Sequence, residues 1–257
     1  MRYFKALLIV FSAYSRIPAP RVKWDGEAMK ISIAFLPWVG AVIGLAVWGW
    51  QLICRYFGVG QSLFAAGAAA LPVFLTGGIH LDGYCDTSDA LSSWQDKARR
   101  LEILKDPHVG AFAVIRVCLY LLLEFALLAE LYARSLDTGF GWVFIISRCF
   151  AASGAMFFKK ARADGMLSDF TRHTDRPLAG ILLAFFSVAS MAGLARSAFP
   201  QCLAGLALCV PVTLGYRKMA AKYFGGITGD TTGFFLQKIE LTLLAGFLIG
   251  GVGAEWL

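Results

Sequence analysis

The residues best suited to chemistry gather in one stretch, Thr76-Gly77-Gly78-Ile79-His80-Leu81-Asp82-Gly83-Tyr84-Cys85-Asp86-Thr87-Ser88-Asp89. A hydrophobic run enters two glycines and then three aspartates, Asp82, Asp86 and Asp89, at spacing i, i+4 and i+7. At about 3.6 residues per turn these offsets keep three carboxylates on one helix face. Ser93 and Asp96 continue that face. Like charges so spaced repel by roughly a few tenths of a kcal/mol per pair in water, and by more near a bilayer. A divalent cation offsets that repulsion. Mg²⁺ is the natural choice, because it takes carboxylate and phosphate oxygens together. The competing account is helix-start chemistry, with Asp82 as a cap and the others at the positive end of the dipole. It accounts poorly for Asp89, two turns in.

Other groups surround this cluster in the sequence. His80 precedes it, as a base, a ligand, a phosphate donor or a bland interfacial histidine. Downstream, Arg99, Arg100, Lys105 and Asp106 stand beside the acidic stretch, as expected where an anionic substrate meets a metal site. An ordinary solvated helix, with Asp106 forming a turn before Pro107, is the alternative. A second stretch, Gly225-Gly226-Ile227-Thr228-Gly229-Asp230, echoes Gly77-Gly78-Ile79-His80-Leu81-Asp82. Its glycines permit close backbone approach to a ligand, its amides suit phosphate, and Asp230 is a candidate fourth metal ligand. A flexible loop between spans competes with that reading.

These groups need a scaffold, and the composition says which kind. The 257 residues are 58% hydrophobic, well above a soluble domain. The excess lies in runs near the ~20 residues that cross a bilayer. The chain is expected to form a single integral membrane domain over residues 1–257, an all-α polytopic bundle of about seven spans. The spans fall near 31–53, 62–79, 109–132, 140–158, 178–195, 199–216 and 239–257. Residues 4–14 are too short to span and read as an interfacial or re-entrant helix stopped by Pro18 and Pro20. They lack a small-x-small cleavage site and are expected to stay in the mature chain. Residues 80–108 and 217–238 read as polar loops.

Charge sets the orientation. With the N-terminus in the cytoplasm, only Arg55, Arg134 and Arg196 fall outside, while Arg116 and Arg148 lie within spans. The rest of the 24 basic residues face the cytoplasm, as the positive-inside rule requires. Both glycine-bearing stretches then lie on that side. Arg116, Glu124, Glu130, Arg148 and Glu240 are ionisable groups at membrane depth and are functional candidates on that ground. Glu240, near the start of the last span and close to Asp230 in sequence, is the strongest of the acids. The net charge of +7 reports topology and anionic partners. No aromatic-plus-basic module points to nucleic acid. Cys54, Cys85, Cys118, Cys149, Cys202 and Cys209 form no CxxC pair and suggest neither disulfides nor zinc.

Taken together, these residues resemble the cobalamin synthase family, adenosylcobinamide-GDP ribazoletransferases. The resemblance rests on Ser15-Arg16-Ile17-Pro18-Ala19-Pro20, Leu36-Pro37-Trp38-Val39-Gly40, Gly77-Gly78-Ile79-His80-Leu81-Asp82-Gly83, Asp86-Thr87-Ser88-Asp89, Leu101 to Asp106 with Gly110, Ser147-Arg148, and Gly225-Gly226 with Thr228-Gly229-Asp230 and Gly233. Ala90 stands where the family usually has Gly. Gln237 stands where it usually has Glu, so Gln237 is left out of the site, while Glu240 matches a second glutamate. The resemblance implies a Mg²⁺-dependent enzyme of the inner membrane, facing the cytoplasm, that joins adenosylcobinamide-GDP to α-ribazole or its 5′-phosphate and releases GMP. It implies Asp82, Asp86, Asp89 and Asp230 as metal ligands, with His80, Asp82 and Asp86 catalytic. Arg100, Lys105, Asp106, Arg148, Thr228 and Glu240 would bind substrate. A homo-oligomer, or a complex with other cobamide-assembly enzymes, is compatible with it.

Without the resemblance, the residues reach only a cytoplasm-facing membrane enzyme acting on a diphosphate. A prenyltransferase-like enzyme would show two aspartate-rich motifs of comparable richness. A CDP-alcohol phosphotransferase would need Ala-Arg where this chain has Asp86-Thr87. A transporter with a carboxylate relay would place its acids at mid-membrane, whereas most here share one loop.

Overall fold

The computed structural model describes residues 1–20, 22–24 and 26–255. Arg21 of the charge census and the last two positions of the expected span 239–257 lie outside the described residues. Among the described residues the chain is helical throughout, without a named strand. A short α1 (Arg2–Tyr14) leads to α2 (Gly26–Ser32), which continues through one 3₁₀ turn into α3 (Leu36–Tyr56). Then follow α4 (Gln61–Thr76), α5 (Ile79–Ser92), α6 (Lys97–Ile103), α7 (Ala111–Ala133) and α8 (Phe140–Phe157). The short α9 (Met166–Arg172) precedes α10 (Arg176–Ser197), α11 (Phe199–Phe224) and α12 (Gly229–Glu255).

Six helices are long and apolar enough to cross a membrane: the unit Gly26–Tyr56, α7, α8, α10, α11 and α12. A seventh span is reached only if the bent pair α4 and α5 is counted as one. Gly77 and Gly78 both hold positive φ, 68° and 79°, a conformation open to glycine at little cost. They turn the chain 94° between α4 and α5. At ~1.5 Å per residue α4 is about 24 Å long, short of the ~30 Å hydrocarbon core. The expected span 62–79 thus ends at this turn, and the polar stretch after it, expected as a loop, is largely helical as α5 and α6.

Three further expectations need correction. The polar segment 217–238 is not a loop, because α11 runs on to Phe224 and α12 begins at Gly229. Only four residues separate them. The helix face carrying Asp82, Asp86 and Asp89 does not continue to Asp96. The chain breaks at Ser93, Trp94 takes φ 55°, and Asp96 caps α6 by accepting the Arg99 N–H at 2.9 Å. Likewise α1 ends at Ser15, in extended backbone, before either proline.

The unit α2–α3, α8 and α12 form the buried middle, and α7, α10 and α11 expose most of their surface. Lipid is as apolar as leucine, so close packing rather than hydrophobicity joins such helices. Between α3 and α8 the device is small residues. A Cβ on Gly40 would stand 2.2 Å from the Phe144 carbonyl oxygen, and one on Gly44 would stand 2.3 Å from that of Gly141. This approach brings Arg148, one turn beyond Phe144, into the bundle interior.

Candidate functional site

The two glycine-introduced stretches meet. Each Gly-Gly pair ends a helix, and an aspartate follows in the first turn of the next: Asp82 in α5 and Asp230 in α12. The two helices touch backbone to backbone. A Cβ on Gly83 would stand 2.7 Å from the Asp230 carbonyl oxygen, and one on Gly233 would stand 3.0 Å from that of His80. This contact puts Asp82 and Asp230 in the wall of one cavity of about 270 Å³, together with Tyr14, His80, Leu36 and Leu167. Asp86 lies within electrostatic reach of Asp82, Asp89 and Asp230.

The start of α12 is built by a reciprocal cap. The Thr228 hydroxyl accepts the Thr231 N–H at 3.2 Å, and the Thr231 hydroxyl accepts the Thr228 N–H at 2.8 Å. This is a capping box with threonine in place of the usual Glu or Gln. The Thr228 hydroxyl also lies 3.4 Å from Asp230 Oδ2. Thr228, expected to bind substrate, therefore orients the first turn that carries Asp230. Asp82 has no such role in α5. The residue before α5 is Gly78, which offers no side-chain cap, so the capping account of Asp82 does not hold.

His80 is buried, and its ring stacks on Tyr14 with centroids 6.0 Å apart. Its Nε2 is buried without a hydrogen-bond partner. Behind it lies the most deeply buried charge pair. Arg148 on α8 binds Glu240 on α12, and the Ser147 hydroxyl donates to the same Glu240 oxygen at 3.1 Å. Arg148 acts electrostatically on His80. Glu240 is therefore not beside Asp230. Ten residues further along the helix, it lies about 15 Å deeper. Gln237, left out of the sequence-based site, is also buried and accepts the Tyr120 hydroxyl at 3.1 Å.

The other expected residues divide. The Asp89 carboxylate rests against Gly110, where a Cβ would stand 2.0 Å from its Oδ1; it faces the N-terminus of α7. Arg100 is buried under Tyr223, its guanidinium 4.6 Å from the ring centroid, and its Nε has no partner. Lys105 is exposed. Asp106 accepts the His108 N–H at 2.9 Å and lies 2.7 Å from its Nδ1. These contacts hold its carboxyl below the usual range and match the turn reading. None of Asp89, Arg100, Lys105 and Asp106 lines the cavity.

Residues counted only as topology charges stand closer. The segment after α8 runs alongside the second glycine pair: Ile227 N–H donates to the Lys159 carbonyl at 2.8 Å, and Ala161 N–H donates to the Ile227 carbonyl at 2.9 Å. Gly226 admits this contact, since a Cβ there would stand 2.4 Å from the Lys160 carbonyl carbon. The pairing brings Arg162 to 3.8 Å from Asp230. Lys160, Arg162, Thr228 and Asp230 line an adjoining pocket. Burial, then the nearby Arg176 and Arg172, push the Lys160 ammonium below its ordinary range. Arg16 leans on Gly77 from the other side, its Nε 2.8 Å from where a Cβ would be. The signal for Arg162 was the echo itself, since a Gly-Gly pair invites a backbone neighbour.

The donors are carboxylate oxygens, which suit a hard cation. Among the described residues no three His, Cys, Asp or Glu side chains stand close enough to hold an ion between them. Mg²⁺ does not need such a cage, since one or two carboxylates with waters and substrate phosphates suffice. Asp82 and Asp230 on one cavity, with Asp86 in their field, fit that mode.

The fold and site define a polytopic, all-helical membrane protein with a carboxylate-walled cavity where two broken-helix motifs meet. The chain belongs to the cobalamin-5-phosphate synthase family, whose model matches residues 6–248. A Lachnoclostridium phytofermentans protein named adenosylcobinamide-GDP ribazoletransferase is 36% identical over 262 aligned residues, covering 100% of both chains. Proteins of that name from Clostridium perfringens strain SM101 and Desulfitobacterium hafniense strain Y51 are 32% and 34% identical. They cover 97% and 96% of this chain, and 98% and 97% of their own. No solved structure matches.

Proposed function

We propose that this protein carries out the last step of cobalamin nucleotide-loop assembly, joining adenosylcobinamide-GDP to α-ribazole or its 5′-phosphate and releasing GMP. The observation that carries the reading is the shared cavity of Asp82, Asp230 and His80 in a chain of this family. A corrinoid far exceeds 270 Å³, so only the diphosphate end of the substrate enters.

Asp82, Asp86 and Asp230 would hold Mg²⁺, and Asp89 adds negative field. When bound, the cation supplies charge neutralisation on the diphosphate and on the departing phosphate. A ribose hydroxyl of the ribazole forms a bond to the phosphorus nearer the cobinamide. The bond from that phosphorus to the bridging oxygen breaks, and GMP leaves with that oxygen. His80 receives the hydroxyl proton on Nε2, in the tautomer that leaves this unpartnered nitrogen bare, because the aspartates would be committed to the cation. Arg162 and Lys160 grip phosphate oxygens at the adjoining pocket, and Arg148 fixes the field behind His80.

The charge asymmetry supports placing the N-terminus and this cavity on the cytoplasmic side of the inner membrane. The experiment is direct. Purified protein, Mg²⁺, adenosylcobinamide-GDP and α-ribazole are incubated and GMP is measured. GMP formed only with both substrates supports the reading, and its absence from well-folded protein rejects it.

A further inference from the structure

A second cavity, of about 750 Å³, opens between α7 and α11 with α12 as its floor. On α12 it uses Phe234, Lys238, Leu241 and Thr242, while the first cavity uses Gly229, Asp230, Thr232, Gly233 and Leu236. At about 100° per residue all of the first set but Asp230 face away from the second, and the two cavities share no lining residue. The second cavity is thus separate from the site described above.

It holds two cations and no acid. Arg116 donates to the Ser88 carbonyl at 3.4 Å. The Lys238 ammonium lies over the Phe234 ring, 4.9 Å from its centroid. Among the described residues neither forms an ion pair with a carboxylate, and the Arg116 charge acts on Lys238. Glu124 and Glu130, the acids on the same helix as Arg116, are used elsewhere: Glu124 is buried beside Tyr120, and Glu130 pairs with Arg134. Counting from the starts of α7 and α12, Arg116 and Lys238 lie about 8 and 14 Å into the bundle. Two unmatched charges at that depth are costly unless an anion reaches them. The lining is apolar and exposed at Leu119 and Leu123, as a surface for acyl chains must be.

We infer that this cleft binds one anionic phospholipid, its phosphate on Arg116 and Lys238 and its acyl chains along α7 and α11. A basic pocket between membrane helices suits such a headgroup. A zwitterionic lipid offers the same phosphate but brings its own cation towards two others. Net negative charge is therefore selected.

The test uses full-length protein, delipidated in detergent, with bound lipid counted by native mass spectrometry. Wild type is expected to hold one dioleoylphosphatidylglycerol per chain about 30-fold more tightly than dioleoylphosphatidylcholine, two charges each contributing about fivefold. Arg116→Gln/Lys238→Gln should erase the preference, and Arg217→Gln/Lys218→Gln should keep it. Should the first pair not fold by circular dichroism, Lys238→Gln alone should lose about fivefold. No preference in wild type, or full preference in these cleft variants, overturns the proposal. So does displacement of the lipid by millimolar inorganic phosphate, which would mark a free-anion site, or by GDP, which would mark a nucleotide subsite.

Discussion

Gly83 on α5 lies directly against the backbone of Asp230 on α12, so that a Cβ would stand 2.7 Å from the Asp230 carbonyl oxygen. Nothing at this contact is a flexible side-chain end, so Gly83→Ala must push the helices apart. The shift falls between Asp82 and Asp230, the two groups that have to act together. Displacement of reacting groups by about 1 Å costs about 100-fold. Gly83→Ala is expected to lower turnover about that much while the helical signal stays. Gly233→Ala, with its nearest atom at 3.0 Å, should lose less. Steady-state GMP release on both variants checks the order.

Asp82→Asn and Asp230→Asn should each lower turnover about 10²–10³-fold. Both carboxylates face one cavity and act as one unit, so the double variant should be little worse than either single one. Losses that multiply would separate their roles. Near-normal turnover in Asp82→Asn, with the protein inserted and folded, would sink the metal assignment.

Much of this arrangement was legible in the sequence, for a physical reason. Hydropathy reports spans because lipid offers backbone groups no alternative partner. Aspartates at i, i+4 and i+7 report a face because the helix period is fixed. The two Gly-Gly-Ile stretches suggested a shared site, and Gly83 and Gly233 are where they touch. What stayed hidden depends on partners distant in the chain. Asp89 points to Gly110, which spacing does not foretell. Arg162 reaches Asp230 only because its segment lies along Ile227. Polar residues 217–224 and 229–238 read as loop on hydropathy, yet they extend two helices, and of the second Asp230 and Thr232 line the first cavity and Lys238 the second.

Chelation separates the metal from the scaffold. EDTA should abolish GMP release and Mg²⁺ should restore it. Ca²⁺ prefers more ligands at longer distance and should restore little. In the absence of substrate, Mg²⁺ should raise the thermal midpoint of wild type but not of Asp82→Asn/Asp230→Asn, since a ligand of the folded state stabilises only where it binds. A midpoint raised equally in both would place the ion elsewhere.

The Arg148–Glu240 pair gives the sharpest separation of stability from chemistry. Both side chains are buried, and removing one partner leaves the other charged in the bundle interior. Glu240→Ala is therefore expected to cost about 3–5 kcal/mol, read by unfolding in mixed detergent. Arg148→Met/Glu240→Met removes both charges at similar volume and should recover most of that loss. Turnover is the readout that separates the two roles: Arg148 opposes protonation of His80, so its loss alone should not weaken that base, and turnover that stays low points to a contact of Arg148 with substrate. A double variant that regains both stability and GMP release would reduce the pair to packing. One that regains stability alone assigns Arg148 to the field around the reacting phosphate.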